Sequence, residues 1–181
     1  MRIISGIKKS ISIKAPKNLP VRPTTDKVKE SLFNIISNKF NYSDLIVLDL
    51  FSGTGNISYE FTSRGCREVI SVDNNLNCIR FINKTASKLD FDIQTKRLDF
   101  LIFLKKNKKK FNLIFADPPY NFYTKQYVEM IELIKDNEML IDEGEIIIEH
   151  SSKITLQDYI NNVEERKYGS SILSIIKKAS L

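Results

Sequence analysis

Four stretches of this chain are almost wholly apolar for the length of one strand, and helical patterns separate them. Leu45-Ile46-Val47-Leu48-Asp49-Leu50 is the first. Val69-Ile70-Ser71-Val72-Asp73, Leu113-Ile114-Phe115-Ala116-Asp117 and Glu145-Ile146-Ile147-Ile148-Glu149 follow it. A strand that is apolar at every position is buried on both faces, as in a parallel sheet covered by helices. Between the runs, residues 56–63, a segment ending near Leu89, a short stretch 100–104 and residues 125–135 read as helices. Residues 92–98 form a weaker strand, and 163–168 and 172–176 form two more, joined through Gly169-Ser170. Such alternation predicts an α/β fold with a mostly parallel sheet. Ligands then bind beyond the carboxyl ends of the strands. That edge carries the loops after Leu50, Val72, Leu98 and Ala116, and each begins at or near an Asp or Gly.

The start of the chain reads differently. Residues 1–16 suggest two short strands, Ile3-Ile4 and Ser10 to Ile13, around a turn at Gly6. Pro16, Pro20 and Pro23 keep the next stretch extended. Thr24 or Thr25 then caps a helix reaching about Asn38, with Val28, Leu32, Ile35 and Ile36 inward and Lys27, Lys29 and Glu30 on the other face. Residues 1–30 hold eight Lys/Arg and two acids, while the rest of the chain holds twenty of each. The whole net charge of +6 therefore sits at the N-terminal end. Such a patch suits phosphate binding, and it also suits a solvated arm. The run from Lys105 to Lys110 precedes a strand, so it is expected in a solvated loop opposite the ligand edge.

With 181 residues, 42% of them hydrophobic, the chain suits one domain with one core. No apolar run approaches the ~20 residues that cross a bilayer. No secretory signal is visible, and Cys66 and Cys78 make neither a metal motif nor a disulfide framework. The expected compartment is the cytoplasm, with no membrane association and no bound metal.

Asp49-Leu50-Phe51-Ser52-Gly53-Thr54-Gly55 closes the first strand. Glycines there let backbone N–H groups approach a ligand, although an ordinary tight turn has the same look. Asp73 ends the second strand, twenty residues beyond Gly53. An acid so placed accepts both ribose hydroxyls of an adenosine, or caps the following helix. Asp99 after the third strand accepts from an adenine amino group, or caps a helix. These features alone do not separate a nicotinamide dinucleotide from S-adenosyl-L-methionine. Asp117-Pro118-Pro119-Tyr120 at the end of the fourth strand does. Its prolines lock the backbone and remove two N–H donors. The turn then offers the carboxylate and carbonyls as acceptors for a planar –NH2 group, beside a ring for base stacking. A hydride-transfer site needs no such motif. His150, the only histidine, is expected to be a bystander.

Asp117-Pro118-Pro119-Tyr120 together with the 49–55 loop resembles the class I amino-methyltransferases. Met1-Arg2-Ile3-Ile4-Ser5-Gly6 and the block from Arg22-Pro23-Thr24-Thr25 to Phe33-Asn34 resemble the bacterial 16S ribosomal RNA guanine-N2 methyltransferase family. The resemblance spans nearly the whole chain. It implies a Rossmann-like, seven-stranded, mostly parallel sheet with a reversed last strand and an N-terminal β-hairpin. It implies one methyltransferase domain, with residues 1–23 as basic hairpin and extended arm and 24–181 as catalytic core. S-adenosyl-L-methionine would be held by Asp49, Phe51, Ser52, Gly53, Thr54 and Gly55, by Asp73 and Asn74, and by Asp99 and Phe100. Asp117, Pro118, Pro119 and Tyr120 would hold the target amino group. RNA would meet Arg2, Lys8, Lys9 and Lys14, with Arg22, Thr24 and Thr25 over the substrate side. The implied partner is 16S ribosomal RNA within a small-subunit assembly particle, met by a monomer. After Gly6 the family usually carries a Gly-Arg or Arg-Gly pair, and here the chain reads Ile7-Lys8-Lys9-Ser10. Two other readings are a DNA adenine-N6 methyltransferase and a non-catalytic RNA-binding or ribosome-assembly factor on a methyltransferase fold.

Overall fold

The computed structural model describes residues 1–16, 19, 25–119 and 121–181. Its centre is a sheet of seven strands: β1 (Ile46–Leu50), β2 (Glu68–Asp73), β3 (Gln94–Arg97), β4 (Phe111–Ala116), β5 (Leu140–Ser151), β6 (Glu164–Tyr168) and β7 (Ser171–Lys177). The spatial order is β3-β2-β1-β4-β5-β7-β6. The strands β3 to β5 run parallel, and β7 runs antiparallel to both β5 and β6. The last strand is therefore the reversed one, as expected.

The helices are α1 (Asp26–Ser37), α2 (Asn56–Ser63), α3 (Leu76–Leu89), α4 (Phe100–Lys106) and α5 (Thr124–Asp136). Successive strand side chains point to opposite faces, and the two hydrophobic clusters divide accordingly. Val47, Val69, Leu113, Phe115 and Ile147 pack with α1, α2 and α3. Leu48, Ile70, Val72, Ile114 and Ile148 pack with α4 and α5. Two covered faces are the reason the strand sequences are continuously apolar. On α5, Tyr127, Met130, Ile131 and Ile134 supply the buried stripe, which follows helical spacing.

Several boundaries differ from the sequence reading. The expected strand at 92–98 shortens to Gln94–Arg97, on the exposed edge of the sheet. β5 starts five residues earlier than expected, because Phe111 pairs with Leu140 before a register shift. The first residues turn back on themselves: Arg2 bridges to Ser12, Ile3 N–H donates to the Ile11 carbonyl at 3.0 Å, Ser10 N–H to the Ile3 carbonyl at 2.8 Å and Ile13 N–H to the Met1 carbonyl at 2.9 Å. Two N–H groups of the first arm turn to α2: Ile4 and Ser5 donate to the Glu60 carboxylate at 2.7 and 2.9 Å. Gly6 makes this docking possible. It has φ +85°, and a Cβ there would meet the Ser63 carbonyl oxygen at 1.8 Å.

Lys29, expected on the face of α1 opposite its apolar stripe, turns inward. It is fully buried. Its Nζ lies 3.4 Å from Glu60 Oε2 and 3.0 Å from Asn56 Oδ1, and it also donates to the Arg2 carbonyl. Burial pulls the ammonium pKa below the usual lysine range, against the charge of Glu60. The wheel position explains the placement, since Lys29 shares a helical line with Phe33 and Ile36, both fully buried.

Candidate active site

Register brings the loops to one level. Leu50 pairs with Val72 on one side and Ala116 on the other, and Ala116 pairs with Ile148. Phe51, Asp73 and Asp117 thus emerge together at the carboxyl edge of the sheet. The chain passes from β1 to β2 on one side and returns to β4 on the other, which makes this the topological switch point.

The first loop is pinned onto the end of β2. Ser52 N–H donates to the Val72 carbonyl at 3.0 Å, and Gly53 N–H donates to Asp73 Oδ2 at 2.8 Å. Phe51 turns the chain with φ +61°, a left-handed conformation uncommon outside glycine. Gly55 has φ +77°, and a Cβ there would press on Ile82 and Tyr59 at 2.9 and 3.0 Å. The other Asp73 oxygen accepts from Asn75 N–H at 2.8 Å. Capping of α3 falls to Asn75, whose side chain accepts from Asn77 and Cys78 N–H groups. Asp99 does cap α4, accepting from Leu101 N–H at 2.9 Å.

A cleft opens between these loops, lined by Phe51, Val72, Asp73, Asn74, Leu98, Asp99 and Phe100. Five of the ten residues expected at the cofactor are among them. Val72 and Leu98 were not assigned to the site by sequence. Their signal was position, one residue before an acid at a strand end.

Asp49 sits beneath the loop, not in that lining. Its carboxylate, 1% exposed, accepts from Ser58 Oγ, which is 2.6 Å from Ser71 Oγ. Burial pushes its pKa up to about 7, opposed by the Ser58 hydroxyl, with the charge of Asp73 adding to the rise. Thr54 is buried, with its Oγ1 3.4 Å from Met1 Sδ.

Across β1 from the cleft, Asp117 follows β4 with its N 3.5 Å from the Leu50 carbonyl oxygen. Asp117 is half-buried, Pro118 buried and Pro119 exposed. The Pro119 carbonyl accepts from Phe122 N–H at 2.9 Å. Tyr127 lies close enough that the Asp117 charge adds to the upward push of burial on its phenol pKa. Tyr120, Arg22 and Thr24 lie outside the described residues.

The basic hairpin is divided along α2. Arg2 lies at the end nearer the site, paired with Asp26 at 2.8 Å. Lys14 follows Ile13, whose N–H donates to the Met1 carbonyl, so it too lies at that end. Lys8 and Lys9 sit in the turn against Ser63 at the other end of α2, and the structure does not bring them to the site. Thr25 has its hydroxyl engaged as the cap of α1, accepting from Val28 N–H. Lys109 and Lys110 pair with Glu68 and Glu138 at the opposite edge, as expected of a surface loop. His150 is buried and bonded to Ser174 Oγ at 2.7 Å. Burial lowers its pKa. Among the described residues no group of three or more His, Cys, Asp and Glu could hold a metal, and no helix is long and apolar enough to cross a membrane.

Comparison with known proteins extends these observations. The sequence matches the family described as Conserved hypothetical protein 95 over residues 1–177. It is 35% identical to YlbH of Bacillus subtilis (strain 168), covering 98% of this chain and 99% of that protein. It is 30% identical to ribosomal RNA small subunit methyltransferase D of Escherichia coli (strain K12), covering 82% of this chain and 74% of that one. Among solved structures, yhhF of Escherichia coli superposes with a TM-score of 0.82 at 26% identity, covering 98% and 97% of the two chains. The magnesium protoporphyrin IX methyltransferase of Synechocystis, solved with bound SAM, shares the fold at 15% identity and TM-score 0.66, over 83% and 78%. The chain belongs to the family described as Conserved hypothetical protein 95, together with the bacterial ribosomal RNA small subunit methyltransferases D.

Proposed function

We propose that this protein transfers a methyl group from S-adenosyl-L-methionine to the exocyclic N2 amino group of a guanine in 16S ribosomal RNA. The observation that carries the reading is the placement of Asp117-Pro118-Pro119 at the end of β4, one strand away from the Asp73 cleft.

The cleft residues fit the cofactor. Asp73 has given one lone pair on each oxygen to backbone N–H groups, and the remaining lone pairs suit the ribose hydroxyls. Asp99 Oδ1 is used by the cap, which leaves Oδ2 for the adenine amino group. Phe51, Val72, Leu98 and Phe100 supply apolar walls for the base. When bound, the sulfonium supplies an electrophilic methyl group. The residues of the chain then supply placement and electrostatics. An exocyclic nitrogen is a weak nucleophile because its lone pair is delocalised into the ring. The Asp117 carboxylate and the Pro118 carbonyl accept its two hydrogens, which favours charge build-up on nitrogen. The Pro119 carbonyl accepts from Phe122 N–H. Tyr120 stacks the base. Arg2, Lys14 and the Arg22 to Thr25 segment hold the RNA backbone, with Lys8 and Lys9 extending the contact away from the site. Phosphate contacts of this kind set register and orientation. The protein works in the cytoplasm as a monomer on a small-subunit assembly particle, with residues 1–23 as RNA arm and 24–181 as catalytic core.

The test is Asp117→Ala. Methyl transfer to ribosomal RNA should be lost, while S-adenosyl-homocysteine binding by calorimetry stays within threefold of wild type. Retained turnover removes Asp117 from the chemistry.

A further inference from the structure

The Phe122 side chain has no part in the chemistry proposed for the site. Phe122 is buried at 6% exposure, two residues past the catalytic tetrad. Its ring centroid lies 5.4 Å from Phe51 and 5.3 Å from Phe100, and those two rings are 5.0 Å from each other. Phe51 and Phe100 are walls of the cleft. On its other side Phe122 meets Tyr127 of α5 at 4.8 Å, nearly perpendicular, and Tyr127 meets His150 of β5 at 5.9 Å. These spacings and tilts are the ones favoured by aromatic quadrupoles. The backbone N–H of Phe122 meanwhile closes the turn by donating to the Pro119 carbonyl at 2.9 Å.

One residue thus touches both halves of the reaction. Its ring packs against the cleft walls, and its main chain closes the turn that follows Asp117. We infer that Phe122 is a positioning residue, which fixes the Asp117 turn at its working distance from the cofactor cleft through the Phe51–Phe100–Phe122–Tyr127 stack. The inference rests on the assignment of the cleft to the cofactor. Packed rings transmit displacement because protein interiors are close-packed. A shift of the turn by roughly 1 Å is enough to cost on the order of 100-fold in rate. Filling the cleft should also steady the turn, since the same rings bear on both.

The test compares Phe122→Leu with Phe103→Leu. Phe103 is a buried α4 residue of the same hydrophobic cluster that lies outside the ring stack, so its substitution controls for lost stability. In Phe122→Leu, kcat should fall at least tenfold while the KM for the cofactor and the Kd for S-adenosyl-homocysteine stay within threefold. In Phe103→Leu, kcat should stay within threefold at a similar loss of Tm. Hydrogen exchange gives a readout that does not need turnover. S-adenosyl-homocysteine should slow exchange across residues 117–123 in wild type and in Phe103→Leu, but not in Phe122→Leu. Equal protection in all three proteins overturns the inference, as does an equal loss of kcat in both variants or none in either. If wild type itself does not bind S-adenosyl-homocysteine, the assignment of the cleft fails and the inference falls with it. Binding and transfer by wild type with an unaffected Phe122→Leu overturn the inference alone.

Discussion

Lys29→Met is the substitution on which sequence and structure disagree most. On a solvated face it would change stability by about 0.5 kcal/mol or less. In the structure the methionine keeps most of the volume and removes a buried ammonium. Glu60 does not lose all its partners, because Arg64 Nε stays at 2.9 Å and the Ile4 and Ser5 N–H groups at 2.7 and 2.9 Å. The loss falls on the Arg2 carbonyl and Asn56 Oδ1, both deprived of this donor. An acceptor left unsatisfied in the interior costs about 1–3 kcal/mol. Breaking a buried ion pair from one side costs about 3–5 kcal/mol. With Glu60 still partnered, the lower part of that range applies, about 3 kcal/mol. For a chain of this size that corresponds to a Tm lower by roughly 6–12 °C. Urea unfolding followed by circular dichroism reads the same quantity as a lower midpoint at unchanged slope. A loss under about 0.5 kcal/mol would refute the buried network and return Lys29 to the surface.

Asp49 makes stability depend on pH in the direction opposite to most carboxylates. Folding raises its pKa from 3.8 to about 7. Its contribution is therefore full below about pH 4 and is lost as pH rises through 7, by on the order of 4 kcal/mol. Asp49→Asn, which mimics the protonated acid, should remove this slope, and parallel unfolding profiles for the two proteins from pH 4 to 8 would exclude the effect. Asp73→Ala should weaken S-adenosyl-homocysteine binding by about 1.5–3 kcal/mol, the range for a hydrogen bond to a charged group. An unchanged Kd by calorimetry would leave Asp73 only its role in pinning Gly53 and Asn75.

The strands and helices around the site were legible because two covered faces leave long apolar runs and because α2 follows its glycine turn at once. The convergence of Phe51, Asp73, Asn74, Asp99 and Phe100 was legible for a related reason: parallel register sends every strand end to one edge. Lys29 was not. Its charge suggests solvent, and only its alignment with Phe33 and Ile36 signals that it points inward. The hairpin was half legible. Its turn formed at Gly6 and its arms pair through main-chain bonds, but nothing in the pattern signalled that Glu60 draws the Ile4 and Ser5 N–H groups onto α2. Phe122 escaped notice because an aromatic residue in a loop has no periodicity to mark it as buried. What assigns it a place is the rings of Phe51 and Phe100, from distant parts of the chain, meeting it beside Tyr127.

The central claim is the identity of the methylated atom. The direct measurement incubates the protein with methyl-labelled S-adenosyl-L-methionine and unmethylated ribosomal RNA, small subunits or duplex DNA, and then identifies the labelled nucleoside after digestion. The account predicts label in N2-methylguanine from the ribosomal substrates and none from DNA. Label in N6-methyladenine, or in any nucleoside methylated at a ring carbon, would contradict it.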